Sequence, residues 1–334
     1  MNETPKKRRR IPWVFCYGVL LAAFTGYVML DTFLIPRAET ENAAEMNMSL
    51  FENEEPAALS SATPEDDSSQ TSKRSGRKSK TSVTAENTAV TADSGSSYAD
   101  DNICITLNEY RENDTDIHVA EVTLSSVQYL KTAFADDTYG RNIKAPTTEI
   151  AEDHNAIFAV NGDFYGARNK GYVIRNGIAY REVGDPSAEV LCIYADGHFE
   201  ITTSGEKTVD ELVDEGVWQA FSFGPALLMD GETAVTEDEE VGRAMASNPR
   251  TAVGITAEGH YIFVVSDGRT TESQGLSLSQ LADFMKRLGC VTAYNLDGGG
   301  SSTMVFDGQL INNPTTSGRG TSERSVSDIV YIGY

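Results

Sequence analysis

Between two short apolar stretches, Cys290–Tyr294 and Thr303–Phe306, the chain runs Asn295-Leu296-Asp297-Gly298-Gly299-Gly300-Ser301-Ser302. The flanks read as buried strands, so a polar, glycine-dense link must carry the backbone from one into the other. Ordering a backbone costs about 1–2 kcal/mol per residue, and glycine loses the most freedom. Three glycines in succession therefore imply backbone at φ > 0 or a close approach that a side chain would block. Asp297, Ser301 and Ser302 place a carboxylate and hydroxyls where the glycines expose the main chain. No Gly-Lys-Ser/Thr ending is present, which argues against a nucleotide-cradling P-loop, and no Gly-x-Ser-x-Gly nucleophile elbow occurs here. The structural alternative is a glycine-rich bulge joining two strands.

The amino-terminal third constrains the chain differently. Lys6, Lys7, Arg8, Arg9 and Arg10 precede Ile11–Leu30, a span without charge, followed by Asp31, Pro36 and Arg37. At 1.5 Å per residue that span covers about 30 Å, a bilayer's hydrocarbon thickness. The basic cluster places residues 1–10 in the cytoplasm, 11–35 in the membrane as a single-pass anchor, and the rest outside the cell. A cleaved signal peptide competes, but the apolar span exceeds a typical signal core and no small-x-small cleavage site follows it. Residues 36–99 lose hydrophobic periodicity and fill with Glu, Ser, Thr, Ala and Asn, the composition of a disordered linker. Its basic patch, Lys73, Arg74, Arg77, Lys78 and Lys80, is a solvated charge run or a contact for anionic wall polymer or lipid.

A formal net charge of −23 argues against nucleic acid as a partner. Of the cysteines, Cys16 lies in the apolar span, leaving Cys104, Cys192 and Cys290, an odd number. Buried free thiols are expected, with a Cys104–Cys192 bridge as the alternative.

Residues 100–334 show short apolar runs joined by hairpin signals at Asn176-Gly177, Asp196-Gly197, Glu258-Gly259 and Asp307-Gly308. Three helices interrupt them. One runs from Thr147 to His154, one starts at a Thr208/Glu211 capping box and stops at Gly216, and one carries an apolar stripe of Leu278, Leu281, Phe284, Met285 and Leu288 before Gly289. The expected fold is α+β, a mixed or antiparallel sheet with packed helices.

Polar groups cluster at the ends of the most apolar runs. Val160 leads into Asn161-Gly162-Asp163-Phe164-Tyr165, Asn248-Pro249-Arg250-Thr251 precedes Ala252–Ile255, and Phe263–Val265 leads into Ser266-Asp267-Gly268-Arg269. Each alone is ordinary turn chemistry. Together they assemble Asp163, Asp267 and Asp297 with Arg250, Arg269 and Arg324, a set suited to a sugar joined to a phosphate.

In this order the motifs resemble the phosphodiester glycosidase family over about Ile150–Tyr334. Asn161–Tyr165 is similar to its Asn-Gly-Gly-Phe-Phe element, departing at Asp163, and Gly224-Pro225-Ala226-Leu227 with Gly231 matches its Gly-Pro segment. Pro249–Gly254 is similar to its Pro-Arg-Thr-Ala-Ile-Gly strand, Asp267-Gly268-Arg269 to its Asp-Gly-Arg, and Asn295–Ser302 to its signature run. Asn312-Asn313-Pro314 and Glu323-Arg324 resemble its closing elements.

The resemblance implies hydrolysis at a sugar's anomeric carbon with release of a phosphomonoester, on exopolysaccharide or another wall polymer. In that reading Arg250 and Arg269 hold phosphate, Asp297 acts at the anomeric centre, and Asp267 orients an arginine or serves as second carboxylate. Asp163 completes the catalytic set. Asn161, Asn295, Ser301, Ser302, Gly298, Gly299, Gly300 and Arg324 contact substrate. A divalent cation on Asp163, Asp267 or Asp297 suits phosphate chemistry, and the sequence does not decide it. The histidines His118, His154, His198 and His260 show neither zinc spacing nor a triad pattern. Two rivals use the same residues: a surface binder of carbohydrate or wall polymer without turnover, and a phosphodiesterase cutting the P–O bond.

Overall fold

In a computed structural model the described residues are 13–41, 43–52, 93–186, 188–235 and 247–334. Among the described residues every strand pairing is antiparallel, so of the two expected sheet types the antiparallel one is found. The largest sheet has eight strands in the order Glu232–Thr233, Ala226–Met229, Thr292–Asn295, Arg250–Ala257, His260–Ser266, Thr115–Leu124, Ile103–Glu112 and Asp93–Ala99. A second, five-stranded, runs Gln309–Leu310, Met304–Phe306, Phe158–Asn161, Asp328–Ile332 and Leu130–Phe134. A third is built on Phe199–Thr203, Glu189–Tyr194, Val217–Phe221, Val173–Arg175 and Ile178–Arg181.

Side-chain alternation along the strands explains how these layers pack. Phe158 and Val160 face the main core with Phe263, Val265, Leu296 and Met304, while Ala159 and Val305 face the opposite side beneath α2 (Thr147–Asp153). The helix α3 (Val209–Asp214) starts at the expected capping box, with Thr208 accepting from the Glu211 amide and Glu211 accepting from the Thr208 amide. Helix α4 (Leu278–Arg287) lays Leu278, Leu281, Phe284 and Met285 on the outer face of the large sheet, each worth roughly 1.5–3 kcal/mol of burial. Gly289 at φ 88° ends it. The turns Asn176-Gly177 (φ 52° and 74°) and Asp307-Gly308 (48° and 69°) have positive φ at both positions, as a two-residue hairpin of the right twist requires.

The amino-terminal helix α1 (Trp13–Phe33) spans 21 residues with none buried, and is long and apolar enough to cross a bilayer. The basic residues before it and the Lys73–Lys80 patch lie outside the described residues. The linker reading needs correction at both ends. Arg37–Thr40 forms a strand against Tyr139–Arg141, and Phe51 is buried with its ring edge-on to Trp218 at 5.0 Å. Strand Asp93–Ala99 pairs with Ile103–Glu112, so paired structure begins before residue 100. All four cysteines are free, so Cys104 and Cys192 form no bridge.

Candidate functional site

The glycine run lies where two sheets meet. Strands Phe158–Asn161 and Thr292–Asn295 end side by side, and Asn161 stitches their continuations together: its Nδ2 donates to the Asp297 carbonyl at 2.7 Å, and its Oδ1 accepts from Thr251 Oγ1 at 2.8 Å and the Thr303 amide at 3.2 Å. Asn161 is fully buried, so it shapes the turn from beneath and does not face a ligand. Asn295 is similarly occupied, its Nδ2 donating to the Gly224 carbonyl at 2.8 Å, and Ser302 is wholly buried.

Each glycine of the run meets the protein itself. A Cβ on Gly298 would lie 2.9 Å from the Pro249 carbonyl oxygen and one on Gly300 2.3 Å from Thr316 Oγ1. Gly299 has φ 66° and would press 2.7 Å from Arg269 Nη2. The close approach expected from the sequence is thus made by neighbouring chain and by an arginine, with positive φ at one of the three.

Around this turn stands a polar cavity of about 320 Å³, lined by Asp163, Asp297, Ser301, Arg324, Lys144 and Phe164 among others. Arg324 donates from Nε to Ser301 Oγ at 2.9 Å and from Nη2 to the Gly298 carbonyl at 2.8 Å, which aims Nη2 to within 3.7 Å of Asp297 Oδ2. Arg269 grips the other side of the turn, donating from Nη1 to the Thr316 carbonyl at 2.9 Å. Burial and the neighbouring Arg324 both push the Arg269 pKa down. Burial raises the Asp297 carboxyl above its ordinary value, opposed by the Ser301 hydroxyl and Arg324.

Beneath Asp163 lies a group that the sequence reading missed. Arg175 is fully buried, with Nη2 2.8 Å from Asp328 Oδ2 and 3.2 Å from Asp163 Oδ1, and Nε donating to Asp328 Oδ2 at 2.9 Å. Burial opposes the guanidinium's charge, but the two carboxylates outweigh it and raise its pKa. Burial likewise drives the Asp328 carboxyl up, against the pull of Arg175. Asp163 also accepts from the Tyr165 amide at 2.9 Å and the Ser222 amide at 3.2 Å, so both its oxygens hold the loop that walls the cavity. Arg175 was concealed as the residue before a hairpin Asn-Gly, and Asp328 as the polar start of an apolar strand. An ionisable residue adjoining such runs was the available signal.

Two expected members sit elsewhere. Arg250 turns Nε to the Leu276 carbonyl at 2.9 Å beside α4, on the outer face of the large sheet, and is not part of the cavity lining. Asp267 opens into a separate cavity of about 490 Å³ with His118, Asn312 and Asn313. There its Oδ1 accepts from the Asn313 amide at 2.8 Å and Asn312 Nδ2 at 3.1 Å, and His118 Nε2 stands 3.7 Å from Oδ2. Burial tends to raise the Asp267 carboxyl, but His118 and the two asparagines bring it below its ordinary value. Among the described residues it orients no arginine. Because Asn312 also donates to the Ser302 carbonyl at 3.0 Å, Asp267 braces the glycine run from behind. Among the described residues no three His, Cys, Asp or Glu side chains gather as metal ligands.

Residues 154–333 match the family model for phosphodiester glycosidase. The SPbeta prophage-derived uncharacterized protein YomE of Bacillus subtilis is 27% identical over 59% of this chain and 31% of its own length. The mouse N-acetylglucosamine-1-phosphodiester alpha-N-acetylglucosaminidase is 29% identical over 45% of this chain and 26% of its own length, so the chain spans about a third or less of these relatives. Among solved structures, the catalytic domain of the zebrafish enzyme of that name superposes with a TM-score of 0.56 at 23% identity, covering 75% of this chain and 85% of that one, a likeness of fold.

Proposed function

The chain belongs to the phosphodiester glycosidase family, and from that premise we propose that it hydrolyses the C–O bond joining a sugar's anomeric carbon to a phosphodiester. The observation that carries this reading is the pairing of Asp297 with Arg324 at 3.7 Å in the wall of a polar cavity. Phosphate departs readily when its charge is held. Arg324, with Lys144 in the same wall, supplies preorganised positive charge for the departing group, and Arg269 stabilises the turn that aims Arg324. The ionised Asp297 carboxylate acts at the anomeric carbon, as attacking group or as base toward water. Asp163 is a positioning residue, held by Arg175 and the Tyr165 and Ser222 amides, and its charge adds to the forces that raise Asp297. Ser301, whose hydroxyl receives Arg324 Nε, fixes the guanidinium plane.

Helix α1 anchors the domain outside the cell, where phosphodiester-linked sugars of exopolysaccharide or wall polymer are the available substrates. Hydrolysis in ¹⁸O water tests the bond cleaved across a panel of sugar-1-phosphodiesters. Label in the released sugar supports C–O cleavage, and label in the phosphate refutes it in favour of phosphodiesterase chemistry. Ligand binding with no product from any member of the panel refutes turnover and leaves a binding protein.

A further inference from the structure

A third cavity, of about 490 Å³, lies where the chain leaves α1, and its lining includes Arg37, Arg141, Arg168 and Arg181. Strand Arg37–Thr40 pairs with Tyr139–Arg141 in a register that sets Arg37 directly opposite Arg141. Directly opposed residues of an antiparallel pair project from the same face, and like charges there repel. Arg37 is partly compensated by an ion pair with Asp31. Arg141 is not: its Nε is buried without a hydrogen-bond partner, and among the described residues no acidic side chain pairs with it. Nε is closed off, so an occupant of the cavity would meet the terminal guanidinium nitrogens of Arg141, whose charge no carboxylate balances among the described residues.

The rest of the lining says what kind of acceptor fits. Arg181 is committed to the protein, donating to the carbonyls of Gly171, Tyr165 and Arg168. Arg168 is exposed, its guanidinium 5.0 Å from the Phe223 ring centroid. Glu39 and Glu182 also line the cavity, two carboxylates against four guanidinium groups, in a chain whose net charge is −23. A phosphodiester presents two non-bridging oxygens, one for each of the opposed arginines.

Position selects the source of that phosphate. Arg37 follows the last residue of α1 by four positions, at most about 14 Å of extended chain. Asn142, next to Arg141, donates from Nδ2 to the carbonyls of Thr32 and Ile35, both at 3.2 Å, which fastens the helix exit to the cavity wall. A polar headgroup layer is about 5–8 Å deep on each side of the hydrocarbon. We propose that the arginine cavity binds the phosphate of an anionic membrane-lipid headgroup between Arg37 and Arg141, with Arg168 at the rim, and so locks the domain against the bilayer surface. This rests on α1 as membrane anchor. The lipid is held and not hydrolysed, since Asp297 and Arg324 belong to the cavity at the glycine run.

Full-length protein in a neutral detergent is titrated with dihexanoyl-phosphatidylglycerol, dihexanoyl-phosphatidylcholine, inorganic phosphate and soluble poly(glycerol phosphate), with bound ligand read by native mass spectrometry. Saturable binding of phosphatidylglycerol is expected, weakened about tenfold by Arg141→Gln and by the exposed Arg168→Gln, and unchanged in Arg324→Gln. Phosphatidylcholine binding as tightly, or unaltered phosphatidylglycerol binding in both cavity variants, overturns the proposal. Inorganic phosphate or the polymer outcompeting the lipid also overturns it, in favour of a soluble anion. Flotation with purely phosphatidylcholine vesicles separately reports whether α1 inserts, so loss of the anchor and loss of the headgroup site are told apart.

Discussion

Removing Arg175 strands two carboxylates. In Arg175→Met the side chain keeps its length but leaves Asp163 and Asp328, 4% and 0% exposed, without the cation that bridges them. Breaking a buried pair from one side costs about 3–5 kcal/mol, and for a domain of this size each kcal/mol lowers Tm by about 2–4 °C, so the fall is about 6–20 °C. The deficit has a pH signature. Burial already raises the Asp328 carboxyl to about 8, and without Arg175 it rises further, so wild type and variant share the penalty below about pH 8 and the variant loses more as pH climbs above it. The variant therefore trails wild type least below about pH 8 and most at about pH 10. Fluorescence of Trp218 reports the transition: it is fully buried, its indole donates to the Leu130 carbonyl at 2.6 Å, and the other tryptophan lies in α1. Adding Asp328→Asn to Arg175→Met should recover part of the loss, because one stranded charge is gone. A drop under about 1 kcal/mol, equal at both pH values and unaffected by the second change, refutes the account of Arg175 as the charge that holds the cavity floor.

Asp297→Asn is expected to lower kcat at least about a hundredfold while ligand still binds, whereas Asp267→Asn, which alters the separate His118 cavity, should keep kcat within about threefold and show its effect in stability; steady-state kinetics on one sugar-1-phosphodiester compares them. Arg324 pulls the Asp297 pKa down, so Arg324→Gln should move the acid limb of kcat/KM to higher pH, in addition to weakening substrate binding; an unmoved limb argues that Asp297 is not the titrating group. Gly298→Ala places a Cβ 2.9 Å from the Pro249 carbonyl oxygen, forcing backbone to shift at a cost of about 1–3 kcal/mol, measured as a lower Tm with a fall in kcat. Asn161→Ala leaves the Thr303 amide and the Asp297 carbonyl unsatisfied and should cost about 2–4 kcal/mol on the same assay.

Features decided within a few residues of chain were legible before any coordinates. Thr208 and Glu211 cap each other, Leu278 through Met285 repeat at helical spacing, and Asn176-Gly177 and Asp307-Gly308 turn as their left-handed backbone preference requires. The motif order also located Asp297, Ser301, Arg324 and Asp163 near one another. What failed was orientation across sheets. Arg250 begins a strand whose face points toward α4, and Asp267 ends a strand on the far side of the glycine run, facts fixed by register between strands distant in sequence. Arg175 and Asp328 are 153 positions apart, and their pairing exists only in the assembled fold. Residues 37–52 were misread for another reason: their composition is polar, and the single ring of Phe51 against Trp218 carries the packing that composition averages away.

That early docking changes what the domain can reach. A flexible leash of some sixty residues would let a domain roam about 40 Å from its anchor point. Here the polypeptide clasps the domain within a few residues of leaving α1, by the Arg37–Thr40 strand and then by Phe51, before the low-complexity stretch begins. With α1 in a bilayer, the cavity of Asp297 and Arg324 is held at a fixed height above it. Under the proposed function, the phosphosugar linkages within reach are those presented in that thin zone, and longer chains must bend down to it.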